Sequence, residues 1–296
     1  MNISVALAGL SGACFALIGI AYRLGQSRGL TPVRIAPVMA LAGAVFFCAG
    51  ADALAAAPYW VWLVGASAGA GQYALLGLVR AALARGPLSP VWCAASLNFV
   101  GATVYARAVL GETLSWSQLA AVATGVACVL VAGRCEHAAD GGRTDHAPGG
   151  RAYVAMLLAI FLLNSMPPIA VKHLAALPLD DARTQMDAHG DALYVALYLA
   201  LLAASLAKTA LRGVRAVPVA GLATLGCLAA VGSIAGMACI AACASGSASA
   251  VFTVSSSASI LVAAVTSVTA FGERPTLAWA GMVALGVATV TLANAP

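Results

Sequence analysis

The sequence predicts an all-α membrane protein of ten transmembrane helices, arranged as two inverted five-helix repeats. Three observations carry that prediction. Of 296 residues, 62% are apolar and only 8% charged, whereas about a quarter of a soluble domain is charged. Mainly apolar runs recur from end to end, and about twenty such residues cross a bilayer as helix. One stretch is also written twice: GETLSWSQLAAVATGVACVLVAG, Gly111 to Gly133, returns as GERPTLAWAGMVALGVATVTLAN, Gly272 to Asn294. Glu112 meets Glu273, 161 residues on, and the same offset lays Gly125 on Gly286, Ser96 on Ser257 and Gly71 on Gly232 without a gap. A repeat of that reach decides the architecture before any single segment does.

In chain order, span one runs from Ile3 to Tyr22 and is followed by a basic loop with Arg23, Arg28 and Arg34. Span two begins near Pro32 and ends around Gly50, and a short link from Asp52 to Pro58 leads to span three, Tyr59 to Ala84. Span four runs from Pro87 to Leu110 and span five from Thr113 to Gly133, which closes the first repeat, residues 1–133. Trp60, Trp62, Trp92, Trp116 and Trp279 fall near span starts, where an indole prefers the water interface. Residues 134–151 (RCEHAADGGRTDHAPGGR) are rich in glycine and charge without periodicity and read as a connecting loop.

The second repeat, residues 152–296, opens with span six, Ala152 to Leu174, which contains Pro167-Pro168. A polar loop from Pro178 to Asp191 carries Asp180, Asp181 and Asp187. Spans seven to ten follow as Ala192 to Leu211, Val217 to Cys243, Ser249 to Phe271 and Pro275 to Asn294. The ends of spans one and six match as well, Ile20 to Leu24 (IAYRL) against Ile169 to Leu174 (IAVKHL). Because each half has an odd number of spans, the second must enter the membrane from the opposite side. Two similar halves of opposite orientation can exchange conformations, which is the requirement for alternating access.

Composition narrows the chemistry. The net charge of +5 is spread over loops, the distribution of membrane topology rather than of a nucleic-acid interface. Seven of the eight cysteines (Cys14, Cys48, Cys93, Cys128, Cys227, Cys239 and Cys243) lie in apolar runs and only Cys135 sits in a loop, so no metal site and no cofactor is expected. The N-terminus, MNISVALAGLSG, lacks a basic signal-peptide region and reads as a retained first span. Gly65-Ala66-Ser67-Ala68-Gly69 and Gly9-Leu10-Ser11-Gly12 imitate serine-nucleophile motifs. Both need a histidine base, and His137, His146, His173 and His189 all fall in loops or at a span end. The chain is therefore not expected to be an enzyme; a membrane-embedded enzyme is the remote alternative.

The doubled pattern, a Gly-Glu pair at the start of each half's last span with a Gly-Val some fourteen residues on, resembles the EamA-type transporters of the drug/metabolite transporter superfamily. The resemblance covers nearly the whole chain. It implies a ten-helix carrier of small metabolites, often an exporter of amino acids or related compounds, in the cell (inner) membrane. Gly111, Glu112, Gly125, Gly272, Glu273 and Gly286 match the motif and have the character of structural positions. Family members commonly carry a proline near the middle of spans four and nine, where this chain has Asn98-Phe99 and Ser259-Ile260. The family's pocket residues are for that reason not carried over.

Depth in the membrane is the remaining guide to a binding site. The span centres hold Gln72, Asn98, Asn164, Ser233 and Ser259, and the repeat offset maps Gln72 onto Ser233 and Asn98 onto Ser259. Amides in hydrocarbon must be paired or face a wet cavity. These five, with Tyr73 and with Ser165 beside the Pro167-Pro168 kink, are the candidate substrate-binding residues; helix-to-helix packing by the serines is the alternative. No Asp or Glu lies at mid-depth, which argues against lipophilic cations as the main substrate. Arg23, Arg80, Arg107 and Lys172 lie near span ends, where such side chains reach for the interface.

Loops after the odd-numbered spans hold twelve Lys and Arg residues, against Arg107, Lys172 and Arg183 on the other side. That excess favours termini outside the cell, whereas the resemblance implies termini inside. The expected partners are a small-molecule substrate and the lipid bilayer, with no nucleic acid and a monomer or homodimer left open. The reading is a multi-pass secondary transporter, exporter or exchanger, of small polar or zwitterionic metabolites, with a lipid or lipid-carrier flippase as the alternative.

Overall fold

The computed structural model of the protein describes residues 3–48, 51–134, 151–178, 185–212, 219–242 and 248–292. All regular elements among them are helices. They are α1 (Ile3–Ser27), α2 (Pro32–Phe47), α3 (Ala51–Ala56), α4 (Tyr59–Leu83), α5 (Leu88–Ser96), α6 (Asn98–Ala108) and α7 (Trp116–Ala132). After the connecting stretch come α8 (Arg151–Asn164), α9 (Met166–Ala175), α10 (Gln185–Arg212), α11 (Val219–Ala242), α12 (Ala248–Thr269) and α13 (Leu277–Leu292). Among the described residues, five helical stretches are long and apolar enough to cross a membrane: Ala6–Ser27, Tyr59–Leu83, Arg151–Ala175, Ala188–Lys208 and Ala220–Cys239. Four shorter helices, Pro32–Phe47, Trp116–Ala132, Val254–Thr269 and Leu277–Leu292, are apolar too. Leu63, Leu130 and Val265 are exposed along their helices, the arrangement of an all-α protein whose surroundings are hydrocarbon.

Local chemistry sets the ends. Helix α1 continues past Tyr22 to Ser27 because nothing stops it before Gly29, whose φ of 72° ends it. The Leu30 N–H then returns to the Gly25 carbonyl at 2.8 Å, satisfying a last-turn acceptor. Helix α7 starts at Trp116 because Ser115 and Gln118 form a capping box, and Thr276 accepts from the Trp279 N–H in the same way at the start of α13. The link read between Asp52 and Pro58 contains the short helix α3. Helix α10 begins at Gln185, within the stretch read as a loop up to Asp191. Cys135, His137, Arg143, His146, Asp180, Asp181 and Cys243 lie outside the described residues, as does the side chain of Asp187.

The largest departure from the sequence reading is in span four, which is two helices. It breaks at Leu97 (φ −82°, ψ 11°) between α5 and α6. Span six breaks at Ser165, where Pro167 and Pro168 enter the first turn of α9 and cannot donate to the carbonyls of the preceding turn. The two broken pairs pack together, α5 on α8 and α6 on α9.

Around them, α1 lies against α11 and α12, α2 against α10 and α11, α4 against α10 and the α8–α9 pair, and α7 against α13. Small residues permit close approach: a Cβ at Gly65 or Gly69 would strike the α10 backbone at Leu193 or Leu197. These glycines are the ones in the serine-motif imitation, and Ser67 Oγ only donates to the Val64 carbonyl of its own helix. Ser11 of the second imitation is buried and donates to the Gly236 carbonyl, joining α1 to α11.

Candidate functional site

The two helix breaks create carbonyls and amides that a continuous helix would have used internally. Asn164, the last residue of α8, donates from Nδ2 to the Ala95 carbonyl of α5 at 2.8 Å. Its Oδ1 accepts from Gln72 Nε2 of α4 at 3.1 Å. A hydrogen-bonded chain thus runs across three helices at the depth where the sequence placed its polar candidates. Gln72 stands near the centre of α4, and both amides are half-buried. Ser165 is buried and turns back onto the Phe161 carbonyl at 2.8 Å; it also fills the space over Gly101, where a Cβ would strike it.

Asn98 opens α6 at the other break. It is half-buried, and its side chain has no hydrogen-bond partner among the described residues. Tyr73 is half-buried and has the Lys208 ammonium over its ring, 5.5 Å from the centroid. Asn98 therefore keeps its amide, and Tyr73 its hydroxyl but not its ring, without a partner among the described residues.

Ser233 and Ser259 stand differently. Ser233 is buried and bonded to Tyr198 Oη, joining α10 to α11. Ser259 accepts from the Trp92 indole N–H at 3.0 Å and from Ser96 Oγ at 3.2 Å, joining α5 to α12. These contacts are the packing alternative for the serines. They also correct the placement of Trp92, which lies buried in the bundle against Gly19 rather than at an interface. Trp116, by contrast, is 87% exposed at the start of α7.

The motif residues occupy equivalent local structures in both copies. Gly111 and Gly272 have φ of 72° and 65°, the left-handed region where glycine is favoured. The following amides fold back alike, Glu112 N–H to the Ala106 carbonyl and Glu273 N–H to the Ser267 carbonyl. Gly125 faces Thr289 and Val100, and Gly286 faces Ile260 and Cys93, so both lie where other helices crowd the last helix of a half. Glu112 is exposed and paired with Lys172 at 2.9 Å. Glu273 is buried at 8% exposure, where its carboxylate accepts from the Leu88 N–H and from Ser89 Oγ at the start of α5.

Several participants escape a reading by depth. The Ala95 carbonyl matters because of the break at Leu97, which no proline announces, and Ser89 and Trp92 matter through partners on other segments, Glu273 and Ser259. Tyr105 and His173 meet at 2.8 Å between α6 and α9; their sequence positions, each at a span end, gave no sign of that pairing. Among the described residues no group of three His, Cys, Asp or Glu could hold a metal ion.

No family model matches the sequence, and no curated protein does. A solved protein crystal structure matches it at 18% identity with a TM-score of 0.61, covering 99% of this chain and 97% of its own. At that identity the likeness is one of fold, and it extends over the full length.

Proposed function

We propose that this chain is a secondary transporter, an exporter or exchanger, for small polar or zwitterionic metabolites, working by alternating access through ten spans arranged as two inverted five-helix repeats. The observation that carries this reading is the chain from Gln72 through Asn164 to the Ala95 carbonyl, lying where two discontinuous helices meet. Discontinuous helices at mid-membrane are the pointer to a transporter's binding site, because their ends offer backbone groups to a ligand. Asn98 and Tyr73 add free polar capacity, and neutral amides suit a substrate that carries no net charge.

The repeat gains support from exchanged partners. Helix α1 packs on α11 and α12, while its counterpart α8–α9 packs on α4 and on α5–α6, the counterparts of α11 and α12. The exchange holds in detail: a Cβ at Gly232 would strike α1 at Cys14 and Leu17, and one at Gly71 would strike Met166 of α9. Membership of the EamA type is consistent with the twin left-handed glycines and belongs to the same proposal.

A second reading has one observation in its favour. An apolar surface groove of about 330 Å³, lined by Val265, Val268, Thr269, Pro275 and Trp279, opens where α12 ends and α13 begins. Such a groove suits an acyl chain, as a lipid flippase would need.

The deciding experiment is thermal unfolding of the purified protein against amino acids, nucleosides, sugars, organic acids, cationic dyes and lipids. A ligand at a hundred times its dissociation constant stabilises by about 2.7 kcal/mol. Stabilisation by one polar class, abolished by Asn164→Ala, supports the transporter reading. Stabilisation by lipids alone moves the assignment to the flippase.

A further inference from the structure

The groove between the end of α12 and the start of α13 offers hydrocarbon contacts and no free polar group. It is lined by Val265, Val268, Thr269, Pro275 and Trp279. The Thr269 hydroxyl already donates to the Val265 carbonyl at 2.9 Å, and the Trp279 indole N–H donates to Ser89 Oγ at 3.2 Å; proline has no N–H to offer. Toward the middle of α12 the groove continues as an apolar stripe, because Leu261 and Val265 are 45% and 59% exposed and stand one turn apart on one face. From Leu261 to Thr269 the stripe is about 12 Å long, most of the roughly 15 Å from the edge of a bilayer's hydrocarbon to its centre. The mouth is basic. Arg274, next to Pro275, is exposed and has no ion pair or hydrogen bond among the described residues. Arg23 of α1 lies over the Phe271 ring while donating to the Leu83 carbonyl, a bond that brings Arg80 and the end of α4 to the same end of the bundle. Among the described residues the one carboxylate there is Glu273, 8% exposed and turned inward onto the Leu88 N–H and Ser89 Oγ. No carboxylate therefore faces outward beside Arg274.

We propose that this groove holds a resident anionic phospholipid, one acyl chain lying along α12 and the phosphate at Arg274. The lipid is a fixed ligand and not cargo, so the inference goes beyond both functional readings and rests on neither. Two chemistries meet at the site in the order a phospholipid presents them: an apolar channel directed into the hydrocarbon, and a guanidinium at its outer end. Arginine is the side chain suited to phosphate, because its planar fork donates two parallel hydrogen bonds. A zwitterionic headgroup brings its own cation to the phosphate and gains less from the arginine. An anionic headgroup has no such cation, and basic residues beside a span attract it. A free phosphate would find Arg274 but make no use of the groove.

The test weighs the intact full chain by native mass spectrometry after equilibration in micelles holding equal amounts of phosphatidylglycerol and phosphatidylcholine with the same acyl chains. The protein is expected to retain one phosphatidylglycerol in preference to phosphatidylcholine. Arg274→Gln should cut that preference about fivefold, the change that one arginine near an anionic surface carries. Val265→Trp, which fills the groove from an exposed position, should remove the retained lipid of either kind. Thermal unfolding checks that each variant keeps its fold. A measurement on the native chain stands beside them: phosphatidylglycerol with a diazirine midway along its acyl chain should cross-link within residues 261–279. Equal retention of the two lipids, or a preference that Arg274→Gln leaves intact, overturns the headgroup assignment. Cross-links confined to other helices, or retention untouched by Val265→Trp, overturn the site. Loss of the retained lipid on adding inorganic phosphate alone would make Arg274 a soluble-anion site and overturn the lipid.

Discussion

Asn164 repairs its neighbour: its side-chain amide lies 2.8 Å from the Ala95 carbonyl, in the turn where α5 gives way to α6. A backbone acceptor at that depth would otherwise face hydrocarbon or a passing ligand. The bond makes the break tolerable, and under the proposed function it is the bond to be traded for one to a substrate.

Replacing Asn164 with alanine should lower stability by about 1 kcal/mol and remove ligand-induced stabilisation. Gln72→Ala should do less, since Gln72 reaches Ala95 only through Asn164. A double-mutant cycle on the two should give a coupling of about 0.6 kcal/mol. Thermal unfolding of the four proteins measures it, and additive effects would show that the amides act apart.

Gly71 and Gly232 are equivalent by the repeat and predict unequal costs. A Cβ at Gly232 would come within 2.6 Å of the Cys14 backbone carbonyl, which cannot yield without moving α1. At Gly71 the obstacle is the Met166 thioether, a flexible group that can repack. Gly232→Ala should therefore destabilise by about 1–3 kcal/mol and Gly71→Ala by clearly less, read as midpoints of thermal unfolding.

Gly111→Ala and Gly272→Ala place a side chain at a left-handed backbone with open space around it. The expense is conformational alone, about 1 kcal/mol each. The two sites are in separate copies of the motif, and their effects should add in the double variant.

Orientation has its own check. If the arginine and lysine distribution sets the orientation, both termini lie outside and Cys135 faces the cytoplasm. A membrane-impermeant maleimide added to intact cells should leave it unlabelled until the cells are opened; labelling from outside would place both termini within.

Much of this architecture was legible because it is periodic. Apolar runs of bilayer length and a doubled Gly-Glu motif are properties of sequence spacing, whereas the left-handed backbone at Gly111 and Gly272 and the caps at Ser115 and Thr276 emerge only in the structure. Gln72 and Asn164 were also legible, since an amide in an apolar run has few places to go. The break at Leu97 was not: Ser96, Leu97 and Asn98 contain no proline, and the turn depends on Asn164 of another helix to satisfy it. Trp92 misled for a related reason, because an indole near a span start is interfacial only if no serine waits inside, and Ser259 does. The difference between Glu112 and Glu273 was not legible either, because GETLS and GERPT are nearly alike and the partners that separate them, Lys172 and the start of α5, belong to other helices.

The position of α1 against α11 and α12 carries a consequence for biogenesis. The ribosome finishes α1 at Ser27 and does not reach α11 until Val219. At about 5–20 residues per second, the first helix waits roughly ten to forty seconds for the partners that cover Ser11. During that interval its glycine-lined face and buried hydroxyl are presented to the bilayer or to the insertion machinery. A nascent chain arrested before α11 should accordingly be a substrate for membrane quality control, and lengthening the pause by slow codons between α10 and α11 should reduce the yield of folded protein without altering a single residue.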